Sequence, residues 1–339
     1  MTQLSHRMER PPRTKKPARI LAADIGGTNS RFAAYILESG TLRREDSVWL
    51  STTNAESFAG LLDQLAKSSL PLTPQEADVI VLGVAGPVRE RRRVTPPNIA
   101  WDIDLDLLPA AYGMQDALLV NDFLAQAYAC VSPALHAART VLPGNAVPGA
   151  PVAVMGAGTG FGHALLLETA PGHFRAVPSE GGHAHFPFVG KEEFAFADFL
   201  REETGRRQVV GDMVITGSGI RNLHTFLTGE RLTSREVTAK IKPDSPVLEW
   251  FARLFGRACH DFVLQTLAFG GLVLTGGVAA GTPDVALHPA FAEEFTASDT
   301  HGALLKNVPV RLNTDEEFGL WGAAQLGAFA LQGKDMRLP

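Results

Sequence analysis

Apolar positions in this chain fall into short continuous runs broken by glycines, with longer stretches at helical spacing between them. Residues 20–23 (ILAA) are continuously apolar, and 31–37 resume a strand-like pattern after Gly26-Gly27-Thr28-Asn29. Two strands about a Gly-Gly pair predict a β-hairpin, the glycines supplying the positive φ of a tight turn. DSVWLSTT at 46–53 predicts another strand. Residues 57–67 place Phe58, Leu61, Leu62 and Leu65 on one helical face, and ADVIVLGVAGPV at 77–88 reads as a buried strand. Strands, a helix and a further strand predict a mixed sheet with a crossover helix.

In ALLVNDFLAQAYACV (117–131) a short strand at 117–120 runs into a helix from Phe123, with Leu124, Ala127, Tyr128 and Val131 at core spacing. Asn121-Asp122 therefore stand at the strand's carboxyl end, where open α/β sheets place ligand chemistry. Asp before a helix is equally a preferred N-cap, so position alone leaves both roles open. Residues 132–151 turn to Pro, Gly and Ala and predict a linker. PVAVMGAGTGFGHALLLE (151–168) then repeats the opening logic of strand, glycine turn with threonine, strand. Gly156, Gly158, Gly160 and Gly162 alternate and a strand follows, which excludes a dinucleotide fingerprint. Two such hairpins roughly 130 residues apart predict two related domains with phosphates clamped between them. Helices are expected at 191–205, 235–241, 245–269 and 316–331, strands at 270–275 and 308–314, and a Thr-Gly-Ser-Gly turn at 216–219 ahead of another helix.

A length of 339 residues exceeds one comfortable core, and 45% hydrophobic content is ample for two. No apolar run approaches the roughly 20 residues that span a bilayer, so no membrane partner is expected. A net charge of −5 argues against general nucleic-acid binding. Cys130 and Cys259 lie in helical apolar segments and read as reduced core residues of a cytoplasmic protein. Residues 1–18 form a proline-containing basic stretch read as a flexible tail, and 89–93 (RERRR) reads as a solvated turn.

Three places carry candidate chemistry. A glycine hairpin tip presents backbone amides to phosphates, with Asp24 placed to hold Mg²⁺ through water and Thr28 adding a donor; an ordinary surface hairpin is the alternative. In VPSEGGHAHFPF (177–188), Glu180, His183 and His185 surround a glycine pair. They suit a metal lacking an evident third ligand, a polyol recognised by carboxylate and imidazole, or a self-bonded loop. Asn98 suits a local cap or a polar ligand.

Taken together, D-x-G-G-T-N at 24–29, N-D at 121–122, G-x-G-T-G-x-G at 156–162, E-G-G-H at 180–183 and T-G-G-V at 275–278 resemble a bacterial glucokinase of the hexokinase–actin–Hsp70 superfamily, over residues 19 to about 331. The resemblance implies an α/β fold of two ribonuclease-H-like (actin-like ATPase) domains with a cleft between them. The smaller would comprise 19–131 plus 317–339 and the larger 132–316. It implies ATP-dependent phosphorylation of glucose at the 6-hydroxyl with Mg²⁺, in a cytoplasmic homodimer. Asp24, Gly26, Gly27, Thr28 and Asn29 match the first phosphate turn, and Gly156, Gly158, Thr159 and Gly160 the second. Gly276 and Gly277 match the adenosine site, and Asn121, Asp122, Glu180 and His183 the sugar site, with Asp122 as base. A further sugar-contacting glutamate of the family is replaced here by Asp212, shorter by one methylene, which leaves mannose or N-acetylglucosamine as alternative substrates. The related repressor–kinase branch carries a cysteine-rich zinc motif that two cysteines do not supply. A sugar-responsive regulator would need a helix-turn-helix ahead of the core, and a chaperone- or actin-like ATPase would not require the Asn-Asp and Glu-Gly-Gly-His pairs.

Overall fold

The computed structural model describes residues 16–334, so most of the basic tail expected over 1–18 lies outside the described residues. β1 (Ala18–Ile25), β2 (Asn29–Glu38) and β3 (Thr41–Ser51) form an antiparallel meander. Helix α1 (Phe58–Ala66) crosses over, and β4 (Val79–Val84) returns parallel to β1. Ser57 starts α1 by accepting a bond from the Gly60 N–H at 3.1 Å, and the four apolar residues at helical spacing are buried. A small ribbon, β5 (Arg93–Val94) with β6 (Ile103–Asp104), precedes β7 (Leu118–Asn121), which lies parallel to β4 and leads into α2 (Asp122–Ala129).

The second half starts with β8 (Arg139–Leu142), followed by the meander β9 (Val152–Ala157), β10 (Phe161–Ala170) and β11 (His173–Ser179). Five helices come next: α3 (Gly190–Thr204), α4 (Gly211–Val214), α5 (Gly217–Thr228), α6 (Ser234–Lys240) and α7 (Pro246–Thr266). β12 (Gly271–Thr275) lies parallel to β9. Short helices α8 (Gly277–Gly281), α9 (Asp284–Leu287), α10 (Pro289–Thr296) and α11 (Gly302–Leu305) lead to β13 (Val310–Leu312) and the closing α12 (Phe318–Leu331).

The strand orders are β3-β2-β1-β4-β7 and β11-β10-β9-β12-β13-β8. Each sheet contains an antiparallel meander extended by two parallel strands, with β8 added antiparallel at the edge of the second, so the internal repeat inferred from the glycine hairpins is structural. Helices α2 and α12 lie between the sheets, in one buried cluster with Val81, Val120, Val154, Ala164 and Val273. Full burial of each of these valine side chains contributes about 1.5–3 kcal/mol. No helix among the described residues is long and apolar enough to cross a membrane.

Three expectations change. The proline- and glycine-rich 132–151 stretch contains β8, an edge strand antiparallel to β13. The 216–219 segment is a helix start, since Thr216 caps α5 through the Gly219 N–H at 3.1 Å. Helices α9 to α11 arise in a stretch for which no element was expected.

Candidate active site

The first hairpin forms with Ile25 opposite Ser30 and Asp24 opposite Arg31. Its glycines serve a different purpose from the expected one, because neither Gly26 nor Gly27 has a positive φ. A Cβ on Gly26 would stand 2.8 Å from the Asn29 carbonyl, and one on Gly27 would stand 2.7 Å from the Asn98 carbonyl. Close approach of backbone to backbone therefore demands glycine here. It also places Asn98 beside the tip, where Thr28 and Asn29 are exposed. Asp24 is paired with Arg31 at 3.1 Å, and Arg31 also reaches Glu316 at 2.9 Å and stacks on Trp49 at 4.1 Å. Arg31 was not singled out in the sequence, where it is one charged residue in an alternating strand.

At the end of β7, Asn121 rather than Asp122 is the helix cap. The Asn121 side-chain oxygen accepts from the Phe123 and Leu124 N–H groups at 2.9 and 3.3 Å, and its amide donates to the Gly86 carbonyl at 3.3 Å. Asp122 is the first helical residue, with one oxygen taking the Phe123 N–H at 3.0 Å and the other unengaged by that bond. The next residue reaches the second hairpin: a Cβ on Gly156 would meet the Phe123 ring at 2.5 Å, and one on Gly162 would overlap it. Both glycines stand in strands with their faces covered by Phe123, and the tip itself is Gly158-Thr159-Gly160, with Thr159 and Gly160 exposed.

That tip is held from below. Asp212 accepts the Phe161 N–H at 2.6 Å and points its other oxygen toward His183 Nδ1 at 3.7 Å, and His183 Nε2 lies 3.7 Å from Glu180. Beneath this loop, His163 is buried among Phe161 and Phe262 and abuts Gly181; burial pushes it down to about 4, so it stays neutral. Across the tip, a Cβ on Gly158 would lie 3.7 Å from the Gly277 nitrogen, which brings the Thr-Gly-Gly turn against the second hairpin. Gly276 has φ +94, and any side chain there would press on the Ala157 carbonyl at 2.5 Å. Thr275 donates to Gln126 of α2 at 3.2 Å, fastening this turn to the helix that carries Asp122.

Asp122 is pushed up to about 6, chiefly by burial, with the charges of Asp24 and Glu180 adding and the Phe123 N–H opposing. Burial also raises Asp24, against the guanidinium of Arg31. A partly desolvated carboxylate poised near neutrality can take a proton from an alcohol. Among the described residues no group of three or more His, Cys, Asp or Glu could hold a metal ion, so His183 and His185 do not complete a metal site. One or two carboxylates suffice for Mg²⁺ that arrives on phosphates, and Asp24, with only one oxygen committed to Arg31, fits that arrangement.

A glucokinase family model matches residues 21–329. The glucokinase of Sinorhizobium medicae is 31% identical over 304 residues, covering 86% of this chain and 87% of its own. The crystal structure of a glucokinase from an Antarctic psychrotroph superposes with a TM-score of 0.73 at 27% identity, over 91% of this chain and 98% of that one. A ROK family glucokinase from Streptomyces griseus, in complex with glucose and AMPPNP, shares the fold at TM-score 0.54 and 17% identity, over 92% and 99% of the two chains. The two repeated sheets are those of the two-domain actin-like ATPase fold. With the motifs of both sheets gathered around Asp122 and the match running almost end to end, the chain belongs to the glucokinase family, hexose kinases that phosphorylate glucose with ATP.

Proposed function

We propose that this chain phosphorylates glucose at its 6-hydroxyl with Asp122 as the general base. The observation that carries the reading is a single carboxylate, raised to about 6, at the start of α2 between the Asp24 hairpin and the Glu180 loop. The hydroxyl proton passes to Asp122 as the bond from O6 to the γ-phosphorus forms. The bond from that phosphorus to the β,γ-bridging oxygen breaks, and ADP leaves. Little covalent work falls to the protein, so positioning dominates. Glu180, His183, Asn121 and Asp212 hold the sugar, with Asn98 at its rim. The amides of Gly26 to Asn29 and of Gly158 to Gly160 receive phosphates, with Gly156 setting the second hairpin on Phe123. Gly276 and Gly277 offer backbone to the adenosine. Asp24 would hold Mg²⁺ through water, and the ion when bound offsets charge on the phosphates.

The same reading takes 19–131 with 317–339 as the smaller domain, 335–339 lying outside the described residues, and 132–316 as the larger. The separate sheets and the packing of α12 on β1 and β4 support this. A cytoplasmic homodimer follows the family resemblance. Assay of ATP turnover with glucose, mannose, fructose and N-acetylglucosamine tests the activity, and ATP hydrolysis independent of every sugar would overturn it.

Two kinetic results follow. The acid limb of kcat/KM in the free enzyme is expected near pH 6, with one proton lost, because Asp122 must be ionised to accept the alcohol proton. A limb near pH 4 would mean an ordinary carboxylate acts instead. Asp212→Asn is expected to lower kcat/KM by roughly 10- to 100-fold, the scale of a charged hydrogen bond. KM should rise for both glucose and ATP, since one carboxylate joins the His183 loop to the Phe161 end of the phosphate hairpin. A rise confined to glucose would show that Asp212 does not support the hairpin.

A further inference from the structure

The first glycine of Glu180-Gly181-Gly182-His183 rests on a side chain that the mechanism leaves unused. His163 of β10 stands opposite Ser179 of β11 in the sheet register, one strand in from the edge and under the turn that carries Glu180 and His183. A Cβ on Gly181 would stand 2.7 Å from His163 Nδ1 and 3.2 Å from Cε1, with Ser179 Oγ at 3.3 Å. Gly181 has no positive φ, so the imidazole, and not the backbone conformation, requires glycine there.

The ring has no room to turn aside. Phe161 meets it edge-on at 4.3 Å, and Phe262 of α7 stacks on it at 4.8 Å. Phe161 is itself backed by Phe255 of α7 at 6.1 Å. Gly182 rests on the same strand, since a Cβ there would overlap the Phe161 carbonyl at 2.0 Å. Both glycines of the turn therefore lie on β10, and α7 supports β10 through the His163–Phe262 and Phe161–Phe255 pairs.

An apolar side chain is the ordinary filler of such a place. His163 is 4% exposed, yet its Nδ1 has no hydrogen-bond partner among the described residues. An unpaired buried polar atom is a standing cost to the fold, so its presence needs a reason outside packing. With no acceptor in reach of Nδ1, the proton of the neutral ring belongs on Nε2, and Nδ1 faces Gly181 as a bare nitrogen.

We propose that His163 is a positioning residue of the sugar site, the floor that sets the height of Gly181 and so the placing of Glu180 and His183. Its flat ring and bare nitrogen let the turn sit lower than an aliphatic side chain of similar size would. The effect on glucose rests on the sugar site proposed above, whereas the contact between His163 and Gly181 does not.

The test is a double-substitution cycle on the full chain, read as separate KM values for glucose and ATP, with circular dichroism to confirm folding. Gly181→Ala is expected to raise glucose KM roughly 10- to 100-fold and to leave ATP KM within about twofold, because the new methyl lifts the turn off the ring. His163→Val removes Nδ1 and Cε1, and in that background Gly181→Ala should raise glucose KM by less than about threefold. Gly182→Ala meets a backbone carbonyl instead, so His163→Val should not relieve it. His163→Leu keeps the volume of the core and serves if the valine variant fails to fold. It is expected to resist urea at least as well as wild type while glucose KM rises about 10-fold, a split that a merely structural residue does not give. Equal effects of Gly181→Ala in both backgrounds, or an unchanged glucose KM in His163→Leu, overturns the proposal. Glu180→Gln, measured alongside, separates this proposal from the sugar-site reading. If Glu180→Gln raises glucose KM and the cycle shows no coupling, the sugar site stands and the role of His163 falls. If Glu180→Gln leaves glucose KM unchanged and the cycle still couples, Glu180 is no sugar contact and the role of His163 stands.

Discussion

Asp122→Asn is expected to lose about 10²- to 10⁴-fold in kcat, to bind glucose nearly as wild type does, and to become more stable near neutral pH. On the proposed mechanism the loss follows from removing the carboxylate at the start of α2, while the glycine turns and the groups proposed to hold the sugar stay in position. The gain follows from the same desolvation that tunes the base. Folding raises the Asp122 carboxyl from 3.8 to about 6, so the fold favours its protonated form. Stability from this group is full below about pH 4 and is lost as pH rises through about 6, where the carboxylate must ionise in a poorly solvated place. At pH 7.5 that loss amounts to up to about 3 kcal/mol, which the uncharged isostere does not incur. Urea unfolding of both proteins at pH 5 and pH 7.5 checks the sign, because the advantage of Asn should grow between those values and level off above them. Near-normal turnover would remove Asp122 from the role of base, and equal stability at both pH values would show that its carboxylate is well hydrated.

The two glycine hairpins and the Asn-Asp step were legible because their signals are local. An apolar run, a glycine turn and a second apolar run specify a hairpin wherever it sits, and β1–β2 and β9–β10 formed where expected. Why the glycines are there was not legible. Gly27 answers to Asn98, and Gly156 and Gly162 answer to Phe123, contacts between distant segments that no turn rule contains. Arg31 and His163 were missed for the same reason: each becomes significant only when Asp24 or Gly181 is brought against it. Strand β8 was hidden among prolines and glycines because it is short, half-exposed and pairs at a sheet edge, where an alternating core pattern is not required. The 89–93 run folds back along β7, where the Arg91 carbonyl accepts the Leu119 N–H at 2.8 Å, because β7 is a sheet edge, and sheet order is not written in any local window.

Glu193→Ala is expected to cost about 3–5 kcal/mol of stability. Glu193 of α3 is 4% exposed and Arg257 of α7 is 8% exposed. The Arg257 guanidinium donates through both Nη atoms to Glu193, through Nη1 to the Pro187 carbonyl at 3.1 Å, and through Nε to Glu294 of α10. Glu193 in turn accepts the Val189 N–H at 2.8 Å, and Arg253 approaches it at 3.5 Å. Truncating the acid leaves a buried guanidinium short of its closest counter-charge, whereas replacing the pair removes the charge altogether. Glu193→Leu with Arg257→Met should therefore recover most of the loss and fall short of wild type, because Glu294, the Pro187 carbonyl and the Val189 N–H lose partners. Denaturant unfolding of the two singles and the double gives the coupling. The network also fixes residues 187–189, just beyond the Glu180–His183 loop, so a kinetic signature is expected even in the mildest variant. Glu193→Gln keeps an acceptor for Val189 and loses the charge; on the proposed site its glucose KM should rise while its ATP KM holds, as the Glu180–His183 loop loosens and the glycine hairpins do not. Equal stability of Glu193→Ala and wild type would show that water compensates Arg257. An unchanged glucose KM in Glu193→Gln would confine the network to holding helices together.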